Sequence, residues 1–366
     1  MEKLLPTNEQ LKFVPESYIH PPEVRPGNFE FPVFRDVPVI DLFEFGHNRA
    51  ELVNKIVKAG HDFGIDESLL LHDLYNGSLA SLLLNNFIII WTVSQLINHG
   101  ISEDLIRDML NLAREFHELP IDERAKMCSD DKTRPCRLCS SIDYEHEKVH
   151  YWRDTLVHNE CQPNAELNNL FPENPTTLRE QAAVFLIELR KVFTQLVDMI
   201  CEGLGIDAGH WSDLLMERQK LAMNYYPTCP DPSLVLGMPP HDDTNPLTIL
   251  VEQSVYPGYQ ILRNGKWVSL IPPPNSLIVN FGYSWEVISD GKIKGDVHRV
   301  GLDDKHTRVT IAGSIHPADN SVVEPAEELI DESNASRYTP GLYKDLRRIR
   351  KAICRDGKGS LYKTEA

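Results

Sequence analysis

Met238-Pro239-Pro240-His241-Asp242-Asp243-Thr244 opens a segment that closes with Gly295-Asp296-Val297-His298-Arg299-Val300. His241, Asp243 and His298 supply two imidazoles and one carboxylate. That set suits a metal needing an open face, and two-His-one-carboxylate sites hold Fe(II) in this way. On an extended strand, positions i and i+2 point to the same side, so His241 and Asp243 are expected to grip one ion together. His298 lies far enough along the chain for several strands to fold back and deliver it. A single histidine in a strand is more often a satisfied core residue; here it is the combination that signals a site.

Around this segment the hydrophobic period is two. Residues 221–226, 247–251, 258–262, 266–270, 276–281, 296–300 and 308–315 are expected as strands, with Asn264-Gly265 as a hairpin turn. Many short strands at near-even spacing indicate a double-sheet barrel. The period elsewhere is helical: residues 49–61, a helix capped by Ser102 with Glu103 and Asp104 in its first turn, residues 178–204 ended by Gly203 and Gly205, and residues 342–352. The predicted fold is mixed α/β (α+β): a double-stranded β-helix (jelly-roll) core with N-terminal and flanking helices. The expected divisions are a helical and strand region at 1–150, helical support at 151–219, the jelly roll at 220–320 and a C-terminal helical segment at 321–366.

The chain has 366 residues, 42% hydrophobic and 25% charged, as in an ordinary globular protein. A net charge of −17 argues against nucleic acid or an anionic membrane as partner. Seven cysteines, an odd number without framework spacing, favour a reducing compartment. With no signal pattern at the N-terminus, a cytoplasmic monomer acting on a small molecule is expected. Cys136-Arg137-Leu138-Cys139 is a CxxC near Cys128 and His146, but no second paired cluster follows, and free thiols in a polar loop spanning 120–148 are the expectation.

Arg308, ten residues past His298, begins the last strong strand. An arginine pointing into a barrel is costly unless a carboxylate meets it, and its fork suits bidentate binding of one. Tyr226 and Asn224 on the first strand are placed to help hold the same anion. A metal and a buried cation together imply a dicarboxylate co-substrate that chelates the metal at one end and meets Arg308 at the other.

The motifs in combination resemble those of plant-type 2-oxoglutarate- and Fe(II)-dependent dioxygenases. The matching stretches are Asn224-Tyr225-Tyr226-Pro227, His241-x-Asp243, Leu247-Thr248-Ile249-Leu250, Asn264-Gly265-Lys266-Trp267, Val279-Asn280-Phe281-Gly282, His298-Arg299-Val300, Arg308-x-Thr310 and, earlier, Asn98-His99-Gly100. The resemblance implies iron held by His241, Asp243 and His298, with these three as the catalytic centre. It implies 2-oxoglutarate held distally by Arg308 and Thr310 with Tyr226 and Asn224, and O2 as second co-substrate with ascorbate supportive. Tyr151-Trp152-Arg153-Asp154 and Glu324-Pro325-Ala326-Glu327 resemble the tropane-alkaloid hydroxylating members, so hydroxylation of an alkaloid or another specialised metabolite is the expected reaction.

Three positions depart from the family pattern. Thr310 stands where Ser is usual, and Tyr283 follows Gly282 where Asp is usual. Residues 65–94 separate the first helix from the strand before Asn98-His99-Gly100, where family members run straight on. The T-rich codons implied by Phe87-Ile88-Ile89-Ile90-Trp91 point to translated intron, expected to displace the strand beside the barrel. Two alternatives follow: a catalytically impaired relative that only binds a small molecule, and a cupin-like metal hydrolase or storage protein, which would have no use for Arg308.

Overall fold

Alternation along residues 308–316 assigns the two faces of the main sheet. Val309, Ile311 and Ile315 join a large apolar core, while Arg308, Thr310 and Ala312 face the opposite side. The computed structural model describes residues 4–5, 11–27, 32–34, 37, 39–43, 93–161, 170–252, 256–330 and 335–355. In chain order these form β1 (Val33–Phe34), β2 (Val39–Asp41), β3 (Val93–Ile97), α1 (Glu103–Glu118), α2 (Ile121–Ala125), β4 (Cys136–Ser140), β5 (Asp154–Cys161), α3 (Leu178–Leu204) and α4 (Ala208–Leu215). There follow β6 (Arg218–Tyr226), β7 (Met238–His241), β8 (Leu247–Glu252), β9 (Tyr259–Arg263), β10 (Lys266–Leu270), β11 (Leu277–Phe281) and α5 (Tyr283–Ile288). The last are β12 (His298–Val300), β13 (Arg308–His316), β14 (Val322–Val323), β15 (Gly341–Leu342) and α6 (Tyr343–Arg355).

One sheet runs β2-β3-β11-β8-β13-β6-β5-β4 and the other β1-β10-β9-β12-β7. Leu250 and Ile278 of the first sheet pack against Tyr259, Ile261 and Leu270 of the second, which makes the barrel interior. The outer face of the larger sheet is covered by α1 and α3. Ser102 Oγ accepts from Leu105 N at 3.2 Å and so caps α1, as its sequence predicts. Phe185, Leu189, Phe193 and Leu196 of α3 are fully buried against that face, where truncating such a phenylalanine to alanine costs about 3–5 kcal/mol. The helix approaches closely because β13 carries Gly313: a Cβ there would meet Leu189 Cδ2 at 2.1 Å. Gly205, at φ 72°, ends α3 in the left-handed conformation that glycine adopts without strain.

The jelly-roll reading and its flanking helices stand, as does the Asn264-Gly265 hairpin, whose two residues have φ 49° and 73° between antiparallel β9 and β10. The 120–148 segment differs from its expectation as a loop. It folds α2 and then β4, with Cys136 and Leu138 facing the core and pairing with β5. β4 alternates in burial over only five residues, Cys136 to Ser140, too short a run for a period of two to stand out in the sequence.

The helix expected at 49–61 and residues 65–92 lie outside the described residues. The displacement expected of the neighbouring strand is not found. β3 sits between β2 and β11 in unbroken register, with Leu96 opposite both Ile40 and Leu277.

A candidate iron and 2-oxoglutarate site

β7 and β12 pair antiparallel with His241 opposite His298, and the two ring centroids lie 4.1 Å apart. His241 ends its strand, so Asp243 lies past β7 in the following turn; the two are not successive same-side residues of one strand as the sequence led us to expect. Tertiary contacts bring Asp243 back instead. Tyr283 N donates to Asp243 O at 2.7 Å, Ser284 Oγ to Thr244 O at 2.7 Å and Gly282 N to Pro246 O at 2.9 Å. Gly282 permits this: a Cβ there would sit 1.7 Å from Asn245 O. The start of α5 thus holds the turn, and Asp243 Oδ1 comes within 3.8 Å of His241 Nε2.

The donor set fits a divalent metal. His241 Nδ1–H donates to Pro239 O at 2.9 Å and His298 Nδ1–H to Asp296 O at 3.2 Å. Both rings are therefore held in the tautomer that leaves Nε2 with a free lone pair. Asp243 Oδ2 is buried without a hydrogen-bond partner, which a metal ion would remedy. Burial, then the neighbouring His298 ring, pushes the His241 pKa down to about 4, so the imidazole is neutral and ready to ligate. The three ligand atoms lie within 4.8 Å of one another, and among the described residues they form the one such group of three or more His, Cys, Asp or Glu side chains. The CxxC contributes nothing to it; burial pushes the Cys136 thiol up to about 12.

Arg308 and Thr310 of β13 pair in register with Tyr226 and Asn224 of β6, so all four side chains share the inner wall. Arg308 is buried, its guanidinium lies 5.2 Å from the Tyr226 ring centre, and its Nε has no partner. Thr155 Oγ1 donates to Asn224 Oδ1 at 3.0 Å, and Asn224 Nδ2 donates to Thr310 Oγ1 at 3.1 Å. The Thr310 hydroxyl therefore accepts from the wall and keeps its own proton to give to an anion. Thr in place of Ser keeps the hydroxyl.

A cavity of about 930 Å³ opens at the barrel mouth, lined by His241, Asp243, Tyr151, Leu236, Ile142 and Arg350 among others. It is lined from the segment around residues 142–151, from the barrel mouth and from the last helix. Three residues escaped sequence reading, Asp242, Arg350 and Glu252; Tyr283, noted there only as a departure from the family pattern, joins them at the site. Arg350 of α6 is ion-paired with Asp242 and lies 4.3 Å from the centre of the Tyr283 ring. Glu252 is ion-paired with Arg308. Only Glu252 carried a signal, as a charge ending an apolar strand on its inward-facing side.

Residues 218–317 match the model of the 2OG-Fe(II) oxygenase superfamily, and residues 85–175 match that of the non-haem dioxygenase in morphine synthesis N-terminal region. The chain is 34% identical to hyoscyamine 6-dioxygenase of Hyoscyamus niger over 93% of its length and 92% of the relative's. It is 35% identical to flavanone 3-dioxygenase 2 of Oryza sativa subsp. japonica over 69% of its length and 73% of the relative's. The fold is similar to the crystal structure of JOX2 in complex with 2OG, Fe and JA, at a TM-score of 0.75 and 24% identity, covering 94% of this chain and 91% of that one.

Proposed function

The chain belongs to the 2OG-Fe(II) oxygenase superfamily and is a 2-oxoglutarate- and Fe(II)-dependent dioxygenase, and from that membership we propose that it hydroxylates a small specialised metabolite, with alkaloids the first class to test. One observation carries the site assignment: His241 Nε2, Asp243 and His298 Nε2 converge beside a wall bearing Arg308 and Thr310. Bound there, iron and 2-oxoglutarate supply the oxidising power that the side chains lack.

The chain's own residues do the rest. His241, Asp243 and His298 would hold the metal between them. Arg308, whose Nε has no partner, would meet the distal carboxylate, the Thr310 hydroxyl would donate a hydrogen bond to the same group, and Tyr226 lies beside the guanidinium. Asn224 acts through Thr310, which it orients. The barrel excludes water, and the 930 Å³ mouth admits the organic substrate. In this reading residues 220–320 form the catalytic unit, supported by 1–150, 151–219 and 321–366. The enzyme is a cytoplasmic monomer with no nucleic-acid or membrane partner, in keeping with its net charge of −17. Among the described residues no helix is long and apolar enough to cross a membrane.

Alkaloids come first because of the similarity to hyoscyamine 6-dioxygenase. The mouth also bears Lys148, Arg347 and Lys351, so a test panel must include acids beside cations and flavonoid-type phenolics. The impaired-binder alternative is not favoured, since β3 keeps its place and the ligand atoms converge. Incubation with Fe(II), ascorbate, 2-oxoglutarate and O2 should yield succinate and a hydroxylated product from one panel member. Absence of succinate across the panel would return the binder to first place. An Asp243→Ala variant retaining full turnover would refute the metal assignment.

A further inference from the structure

Arg308 already has a carboxylate. Its Nη2 donates to Glu252 Oε2, and the two side chains are 1% and 2% exposed. Glu252 ends β8 and stands opposite Thr310 across the β8–β13 ladder, so it enters the barrel on the wall that carries Thr310, Asn224 and Tyr226. Gly258 makes room for the pair: a Cβ there would lie 3.0 Å from Arg308 Cδ and 3.3 Å from its Nε. With the Tyr226 ring 5.2 Å from the guanidinium, Arg308 is held on several sides, and its buried Nε is left without a partner.

This pair is close to neutral. A second carboxylate on the same guanidinium brings uncompensated negative charge into a buried volume, where like charges repel far more than in water. Resting on the assignment of Arg308 to the distal carboxylate of 2-oxoglutarate, we propose that Glu252 tunes co-substrate binding. Before 2-oxoglutarate arrives, Glu252 holds Arg308 oriented in the barrel. When it arrives, Glu252 competes for the same positive charge and lowers affinity for a co-substrate with two carboxylates. Glu252 is a positioning residue and touches no reacting atom.

Glu252→Gln keeps the volume and an acceptor oxygen and removes the charge. Calorimetric titration of the Mn(II)-loaded protein, which needs no turnover, should show 2-oxoglutarate bound about tenfold tighter in this variant. 2-Oxobutyrate, which lacks the distal carboxylate, should gain nothing. The variant without ligand should melt lower, because Arg308 has lost its counter-charge, and 2-oxoglutarate should raise its Tm by more than in the parent. Unchanged or weaker 2-oxoglutarate binding, or an equal gain for 2-oxobutyrate, overturns the proposal. Should Glu252→Gln not fold, Glu252→Asp withdraws the carboxylate by one methylene and must also bind 2-oxoglutarate tighter; weaker binding there overturns it too. Arg308→Ala separates the two layers. If it binds 2-oxoglutarate like the parent, the assignment of Arg308 falls; if it loses binding while Glu252→Gln gains none, only the tuning role falls.

Discussion

Arg350, on the last helix, closes an ion pair on Asp242, the residue between His241 and Asp243, and stacks over the Tyr283 ring at 4.3 Å. Tyr283 in turn holds Asp243 through its backbone N–H. The last helix, the mouth of the cavity and the turn carrying Asp243 are thereby fastened at one point. Tyr283, which stands where family members usually have Asp, supplies an aromatic face to Arg350.

Arg350→Ala should loosen this fastening. Removing one partner of a buried charge pair costs about 3–5 kcal/mol because the other is left uncompensated, so the melting temperature of the metal-free protein should fall. Asp242→Asn in the same background should recover part of the loss. KM for the organic substrate should rise while binding of 2-oxoglutarate changes little. A single and a double variant melting alike would show that the pair contributes nothing.

Gly282→Ala should weaken metal binding without unfolding the barrel. The added Cβ has Asn245 O at 1.7 Å and Asp243 O at 2.8 Å, so the turn must shift and take Asp243 with it. A loss in Fe(II) affinity of about 10- to 100-fold is the size expected when the support of a ligand is disturbed. Metal titration alongside far-UV circular dichroism checks both halves.

Gly313→Ala tests the seat of α3. Overpacking of this kind costs about 1–3 kcal/mol, since Leu189 Cδ2 stands 2.1 Å from the new Cβ. Adding Leu189→Ala should make room, so the double variant should be less unstable than the two losses summed. Denaturant midpoints of the four proteins measure this.

Stability should fall as the pH drops below neutral. His117 is buried with Nε2 donating to Met223 O at 3.0 Å, and burial pushes its pKa down to about 3. His316, buried between Ser314 and Tyr343, is held well below the usual histidine value by burial and then by Lys220. Both fold neutral, while the unfolded chain takes up protons from about pH 6.5. The unfolded state therefore binds more protons, and the stability present above about pH 6.5 is lost toward the folded pKa, at about 1.4 kcal/mol per pH unit for each group. His117→Gln should reduce the slope of unfolding free energy between pH 6.5 and 4.5 by close to one proton. A slope identical to that of the parent would refute it.

Local pattern was enough for much of the molecule. The helix from Leu178 to Leu204 and the strand from Arg308 to His316 declare themselves because a long run of one period is a physical commitment to one face. β4 and α5 were not legible, since five or six residues carry too few repeats to show a face.

For the site, the residue types at 241, 243, 298 and 308 pointed to a metal and an anion, because chemistry sets the ligand type and ligand type can be read from sequence. The geometry could not be read there. Asp243 comes beside His241 through α5 and Gly282, not through strand alternation, and those contacts join residues some forty positions apart. The partners of Arg308 and Asp242 were equally hidden. Which carboxylate meets which guanidinium is decided by packing across strands and helices, and a charge in a sequence has no neighbour until the chain has folded around it.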